Sequence, residues 1–147
     1  MIEFEVADPN FRQRVAEDFG RQKVMQTMGI TLESIEPGEV QLQMPFREDL
    51  TQQNGYLHAG VLSTALDSAC GFSAYTLMSR EASVLTIENK INLLRPASNG
   101  PFRIVGRVIK PGRSVIVSDG KLYDADGKLI STMSATNMAV PLRSVEQ

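Results

Sequence analysis

The chain has 147 residues, 42% hydrophobic and 22% charged, enough apolar side chain to fill the core of one ordinary domain. Fifteen Lys and Arg against 17 Asp and Glu leave a net charge of −2, which argues against a broad nucleic-acid surface, where clustered cations must neutralise phosphates. One cysteine excludes an intrachain disulfide, and one histidine excludes a zinc site built from several Cys and His ligands, so no metal is expected.

In chain order, the start Met1-Ile2-Glu3-Phe4-Glu5 carries acids where a secretory leader has basic residues and then an apolar run. No stretch approaches the roughly 20 apolar residues of a membrane helix, so a cytoplasmic protein is expected. Asp8-Pro9 reads as a cap and first turn, and Phe11, Val15 and Phe19, followed by Val24, Met25 and Met28, predict one amphipathic helix over 9–28, ending near Gly29. Ile30 to Ile35 and Val40 to Phe46 flank Glu36-Pro37-Gly38-Glu39, which predicts a hairpin. Residues 47–57 read as a polar loop, and His58 to Met78 as the one long apolar helix. Four strands are expected near 83–95, 101–110, 114–124 and 128–140, joined by turns too short for parallel crossovers. The class is therefore α+β: a single domain over 1–147 whose core, about 30–140, sets a long central helix against an antiparallel sheet.

Asp67 is the only charged residue in the long helix. Its neighbours at helical spacing are small: Gly60, Ser63, Thr64, Cys70, Gly71 and Ala74, whereas Leu62, Leu66, Phe72 and Leu77 lie largely on other faces. A stripe of small residues lets another backbone come close, and an unpaired carboxylate in such a contact is costly. Asp67 is thus read as a carboxylate paired with a local hydroxyl or amide, as a solvent-facing acid, or as a functional group in a partly dry cleft. Gln52-Gln53-Asn54-Gly55-Tyr56-Leu57-His58-Ala59-Gly60 favours the last, because it places amides and an imidazole at a helix N-terminus, whose free N–H groups suit a developing oxyanion. Ala59 and Asp67 are separated by about 12 Å of helix axis at ~1.5 Å per residue, so one small carbonyl group touching both is easier to build from two chains. The small stripe, exposed in a lone chain, then predicts a homodimer contact between two such helices, with a tetramer of two dimers as the next assembly.

Asn54-Gly55-Tyr56-Leu57-His58-Ala59-Gly60, with Asp67 nine residues after the histidine, resembles the signature of PaaI-like hotdog-fold thioesterases. Thr86-Ile87-Glu88-Asn89-Lys90-Ile91-Asn92-Leu93-Leu94-Arg95-Pro96 resembles the strand that follows, and Lys110-Pro111-Gly112-Arg113-Ser114 and Asp126-Gly127-Lys128-Leu129-Ile130 resemble the last two hairpins. The resemblance implies a hotdog fold and hydrolysis of an acyl-CoA thioester at a dimer interface, with CoA as part of the substrate and no further cofactor. It implies that Asp67 is the nucleophile or the base for water, that the backbone N–H of Ala59, with Gly60 beside it, polarises the carbonyl, and that His58 holds the turn. It also implies that Gln52, Gln53 or Asn54 supplies an amide and that the Thr86 hydroxyl completes the site. Alanine stands at 59 where the family has glycine, so a conformation reserved for glycine would not survive the change.

Arg95, Lys110 and Arg113 are candidates for the CoA phosphates or, alternatively, solvated hairpin charges. Phe72, Tyr75 and Met78 are candidate pocket residues for a medium-chain or aryl acyl group. Met25, Met28, Met44 and Met133 read as core filler. Cys70, with no second histidine as its base, reads as a packed core thiol. The alternatives on the same fold are a non-catalytic acyl-CoA-binding protein and a dehydratase or hydratase.

Overall fold

The computed structural model describes residues 3–142, so the outermost positions of the expected domain, 1–2 and 143–147, lie outside the described residues. Two short helices, α1 (Phe11–Gly20) and α2 (Lys23–Met28), precede strands β1 (Thr31–Glu36) and β2 (Glu39–Met44). The long helix α3 (Ala59–Tyr75) follows, and then β3 (Ala82–Leu93), β4 (Phe102–Lys110), β5 (Val115–Tyr123) and β6 (Leu129–Pro141). The expected 9–28 helix is therefore two. Gly20, a poor helix former, closes α1, and Gln22 is extended (φ −74°, ψ 100°). At the end of α2, Gly29 is left-handed (φ 72°), and the Ile30 N–H returns to the Met25 carbonyl, a cap that needs glycine's positive φ.

The six strands form one antiparallel sheet in the order β1-β2-β4-β5-β6-β3, with α3 packed on one face. β4 and β5 alternate between buried and more exposed positions, as a sheet with one covered face requires. Leu42, Met44, Phe102, Ile104, Ile116, Leu122 and Met133 fill the layer beneath α3, where Leu66 is also fully buried. Gly106 and Gly120 are direct partners across the β4–β5 ladder. They form a cradle without side chains: a Cβ on Gly106 would lie 2.1 Å from the Ala69 carbonyl oxygen, and one on Gly120 would lie 2.9 Å from Cys70 Sγ. The helix therefore rests almost directly on backbone at this point.

That cradle corrects the expected exposed stripe. Cys70, Gly71 and Ala74 are buried against their own chain rather than presented to a second one. The opposite flank of α3 is covered as well. Phe19 of α1 meets Phe72 edge-on at 5.6 Å, the Tyr75 hydroxyl donates to Asp18 at 2.6 Å, and Arg14 Nη2 donates to the carbonyls of Tyr75 (2.9 Å) and Met78 (2.8 Å). Phe72, Tyr75 and Met78 are accordingly core residues beneath α1, not the walls of a pocket. Among the described residues no helix is long and apolar enough to cross a membrane.

Candidate active site

The segment before α3 is more ordered than a polar loop. It contains a 3₁₀ turn at Glu48–Leu50 and a bridge between Thr51 and Leu57, and the Leu57 N–H donates to the Ala97 carbonyl at 2.9 Å. The Gln52 side chain accepts from the Asn54 N–H at 2.5 Å and stiffens the tip. His58 is the N-cap: its Nδ1 accepts from the Gly60 N–H at 2.9 Å, which holds the ring against the start of the helix. The Gly60 amide is thereby committed. Ala59 is the first helical residue, and no non-glycine residue described has positive φ, so its methyl group is accommodated without strain. Its N–H has no partner among the described residues, whereas those of Gly60 and Val61 are taken by the His58 side chain and carbonyl.

A cavity of about 550 Å³ opens at this N-terminus. Gln52, Gln53, Asn54, Tyr56, His58 and Ala59 line one side, and Leu57, Leu62, Leu93, Leu94, Arg95, Pro96 and Ala97 the rest. The Arg95 guanidinium is exposed and donates to the Leu129 carbonyl at 2.6 Å. Arg113 lies elsewhere, in the exposed β4–β5 turn, whose neighbours Ser114 and Val115 pair with Ala139 and Met138 at the far end of β6.

Asp67 stands two turns further along α3 and faces β3. Its Oδ1 accepts from Thr86 Oγ1 at 2.9 Å and from Asn89 Nδ2 at 3.1 Å. Oδ2 has no protein donor among the described residues. A carboxylate held by two donors on one oxygen has a fixed plane, and its other oxygen is available to attack a carbonyl or to take a proton from water. Burial above all, then the nearby charges of Asp67 and Asp119, pushes the Cys70 thiol far above its ordinary range, so it stays protonated and inert. Among the described residues no cluster of three or more His, Cys, Asp or Glu side chains could hold a metal ion.

The structure thus joins Asp67 to Thr86, as the sequence suggests, and adds Asn89, which strand alternation hides. Within one chain it does not join Asp67 to the cavity. Neither Asp67 nor Thr86 nor Asn89 is among the cavity-lining residues.

A long helix laid across one face of a six-stranded antiparallel sheet, with a carboxylate on that helix and one free backbone N–H at its start, is the architecture of the hotdog fold. The thioesterase superfamily profile matches residues 54–131, a span that holds the cavity loop from Asn54 onward, Asp67, Thr86 and Asn89, and the chain belongs to this superfamily. A thioesterase family protein of known structure from Silicibacter pomeroyi is 47% identical with a TM-score of 0.86, covering 89% of this chain and 98% of its own. Human acyl-coenzyme A thioesterase 13 is 32% identical over 104 residues, 69% of this chain and 74% of the human one. A Saccharolobus solfataricus protein with a provisional esterase name is 36% identical over 107 residues, 73% of this chain and 76% of its own.

Proposed function

We propose that the protein hydrolyses acyl-CoA thioesters to the free acid and CoA, with Asp67 as the group that attacks the thioester carbonyl or activates water against it. The observation that carries this reading is the state of Asp67: Oδ1 is pinned by Thr86 and Asn89, and Oδ2 is unbonded among the described residues. In the water route, the hydroxyl oxygen adds to the carbonyl carbon and the proton goes to Oδ2. Collapse of the tetrahedral intermediate then breaks the carbon–sulfur bond, and the leaving thiolate takes the proton. The Ala59 N–H stabilises the oxyanion. His58 acts by holding the turn, since its Nδ1 is occupied by Gly60; this disfavours the dehydratase reading, which needs a free imidazole. The human relative's name specifies acyl-coenzyme A, and we take CoA thioesters as the substrate class here, with no cofactor beyond the CoA they carry and the cytoplasm as the place of action.

The separation of cavity and carboxylate favours a two-chain site. β3 is a sheet edge, paired only with β6, and it exposes Leu85, Ile87 and Leu93. Such an edge is a template for pairing with a second copy. Two β3 edges meeting antiparallel about a twofold axis set the Leu93 end of one chain beside the Leu85 end of the other. The cavity of one subunit then opens toward the partner subunit's Asp67. The homodimer, alone or as half of a tetramer, is the catalytic unit. The apolar walls at Leu57, Leu62, Leu93 and Leu94 suit a medium-chain or aryl acyl group, and Arg95 on the rim is placed for a CoA phosphate.

Release of free thiol from a panel of acyl-CoAs tests the reading, with Asp67→Asn beside the wild type. We expect turnover on a medium-chain or aryl substrate and a loss of about 10²–10⁴-fold in the variant. A panel that binds but is not cleaved makes this a binding protein, and an Asp67→Asn protein with wild-type turnover removes Asp67 from the chemistry.

A further inference from the structure

Asn137 lies in β6 beneath α3, opposite Thr86 on one side and Ile116 on the other, and none of it is exposed. Gly71 is its contact on the helix: a Cβ there would sit 3.8 Å from Asn137 Oδ1. Asn137 Nδ2 has no hydrogen-bond partner among the described residues, whereas Oδ1 stands 3.4 Å from Thr86 Oγ1. The Thr86 hydroxyl has a single proton, already engaged by Asp67 Oδ1 at 2.9 Å, so it cannot also serve Asn137. The two ends of an amide have nearly the same shape. Turning this one over makes Nδ2 the donor and Thr86 Oγ1 the acceptor, which gives the orphaned buried N–H its partner.

We propose that Asn137 is a positioning residue of the hydrolytic site: its amide donates to Thr86 Oγ1 and so directs the hydroxyl proton onto Asp67. A threonine hydroxyl can rotate to any nearby acceptor, and a fixed donor at its lone pair leaves only the direction toward the carboxylate. Asn137 is closed off beneath the helix and cannot touch substrate, so its effect passes through Thr86 alone. The inference rests on the reading of Asp67 as the hydrolytic group.

The test is a double-mutant cycle on thioester turnover with Asn137→Ala, Thr86→Val and both together, beside Asp67→Asn. We expect Asn137→Ala to lower kcat about tenfold, the size of one hydrogen bond between neutral groups, with KM unchanged. The double variant should be no slower than Thr86→Val. Because Asn137→Ala can fail to fold, a second readout uses Thr86→Val alone: the side-chain amide resonances of Asn137, slow to exchange in the wild type, should shift upfield. Multiplying effects in the cycle, or Asn137 resonances unmoved by Thr86→Val, overturn the role of Asn137 while an inactive Asp67→Asn keeps the hydrolytic reading. An active Asp67→Asn protein removes both.

Discussion

Thr86 and Asn89 stand on the same face of β3 although three positions separate them, and both donate to one oxygen of Asp67. The ladder explains it. Thr86 pairs with Asn137 and Glu88 with Thr136, so Ile87 is an extra residue on the β3 side, and the bulge resets the alternation so that Asn89 turns inward opposite Ala135. Asn89→Ala should remove one of the two bonds that fix the carboxylate, lowering kcat about tenfold or somewhat more with little change in KM. Steady-state kinetics checks it, and a kcat equal to wild type would show that Thr86 alone holds Asp67.

The two-chain site makes a prediction that a one-chain site cannot meet. Ala59→Pro deletes the free N–H at the start of α3 and should cost about 10²–10³ in kcat, whereas Ala59→Gly should change little because the native φ is not restricted to glycine. Mixing Ala59→Pro protein with Asp67→Asn protein under conditions that exchange subunits should restore activity, since a mixed dimer has one site with both groups intact. No recovery, with exchange verified by native mass spectrometry, means that the two groups work within one chain.

The glycine cradle predicts an order of stabilities. A Cβ on Gly106 meets the Ala69 carbonyl, fixed backbone, at 2.1 Å, whereas one on Gly120 meets Cys70 Sγ at 2.9 Å and Leu66 Cδ2 at 3.0 Å, side-chain atoms that can give way. Gly120→Ala should therefore cost about 1 kcal/mol and Gly106→Ala about 3 kcal/mol or more. Urea midpoints measure both. Gly106→Ala should also lose turnover, because lifting α3 carries Asp67 away from Thr86 and Asn89.

Tyr75 sets an alkaline limit. Burial first, then the hydrogen bond to Asp18 and its negative charge, pushes the phenol from about 10 up to about 12. The unfolded chain ionises near pH 10 while the folded one keeps its proton, so this contribution to stability is intact below pH 10 and declines as the pH rises toward 12. The decline approaches about 1.4 kcal/mol per pH unit. Tyr75→Phe should flatten that part of the curve, and urea titrations at pH 9 and pH 11 on both proteins decide it.

Much of this was legible in the sequence because local signals agreed. Residues 83–140 alternate and are punctuated by turn residues, α3 is the one long apolar helix, and the resemblance singles out both Asp67 and Thr86, which a hydrogen bond joins in the structure. The rest depended on contacts that local pattern does not encode. Asn89 needed a bulge at Ile87, and period-two reading assigns it to the wrong face. Cys70, Gly71 and Ala74 look like an outward contact until Gly106 and Gly120, 32 or more residues away, are seen to admit α3 from the sheet side. Phe72, Tyr75 and Met78 look like pocket walls until α1 is laid over them.

Arg14 gives the N-terminal helix a standing that family boundaries miss. Residues 54–131 carry the superfamily match, yet the last carbonyl of α3 and that of Met78 just beyond it are satisfied by a guanidinium forty residues before that span, which also stacks 4.3 Å from the Tyr75 ring centroid and faces Asp8 at 3.5 Å. Anyone trimming this chain to its recognisable segment would cut away the clamp on its central helix. A piece that keeps Arg14 together with its Asp8 partner starts before Asp8, well ahead of the first residue of the superfamily match.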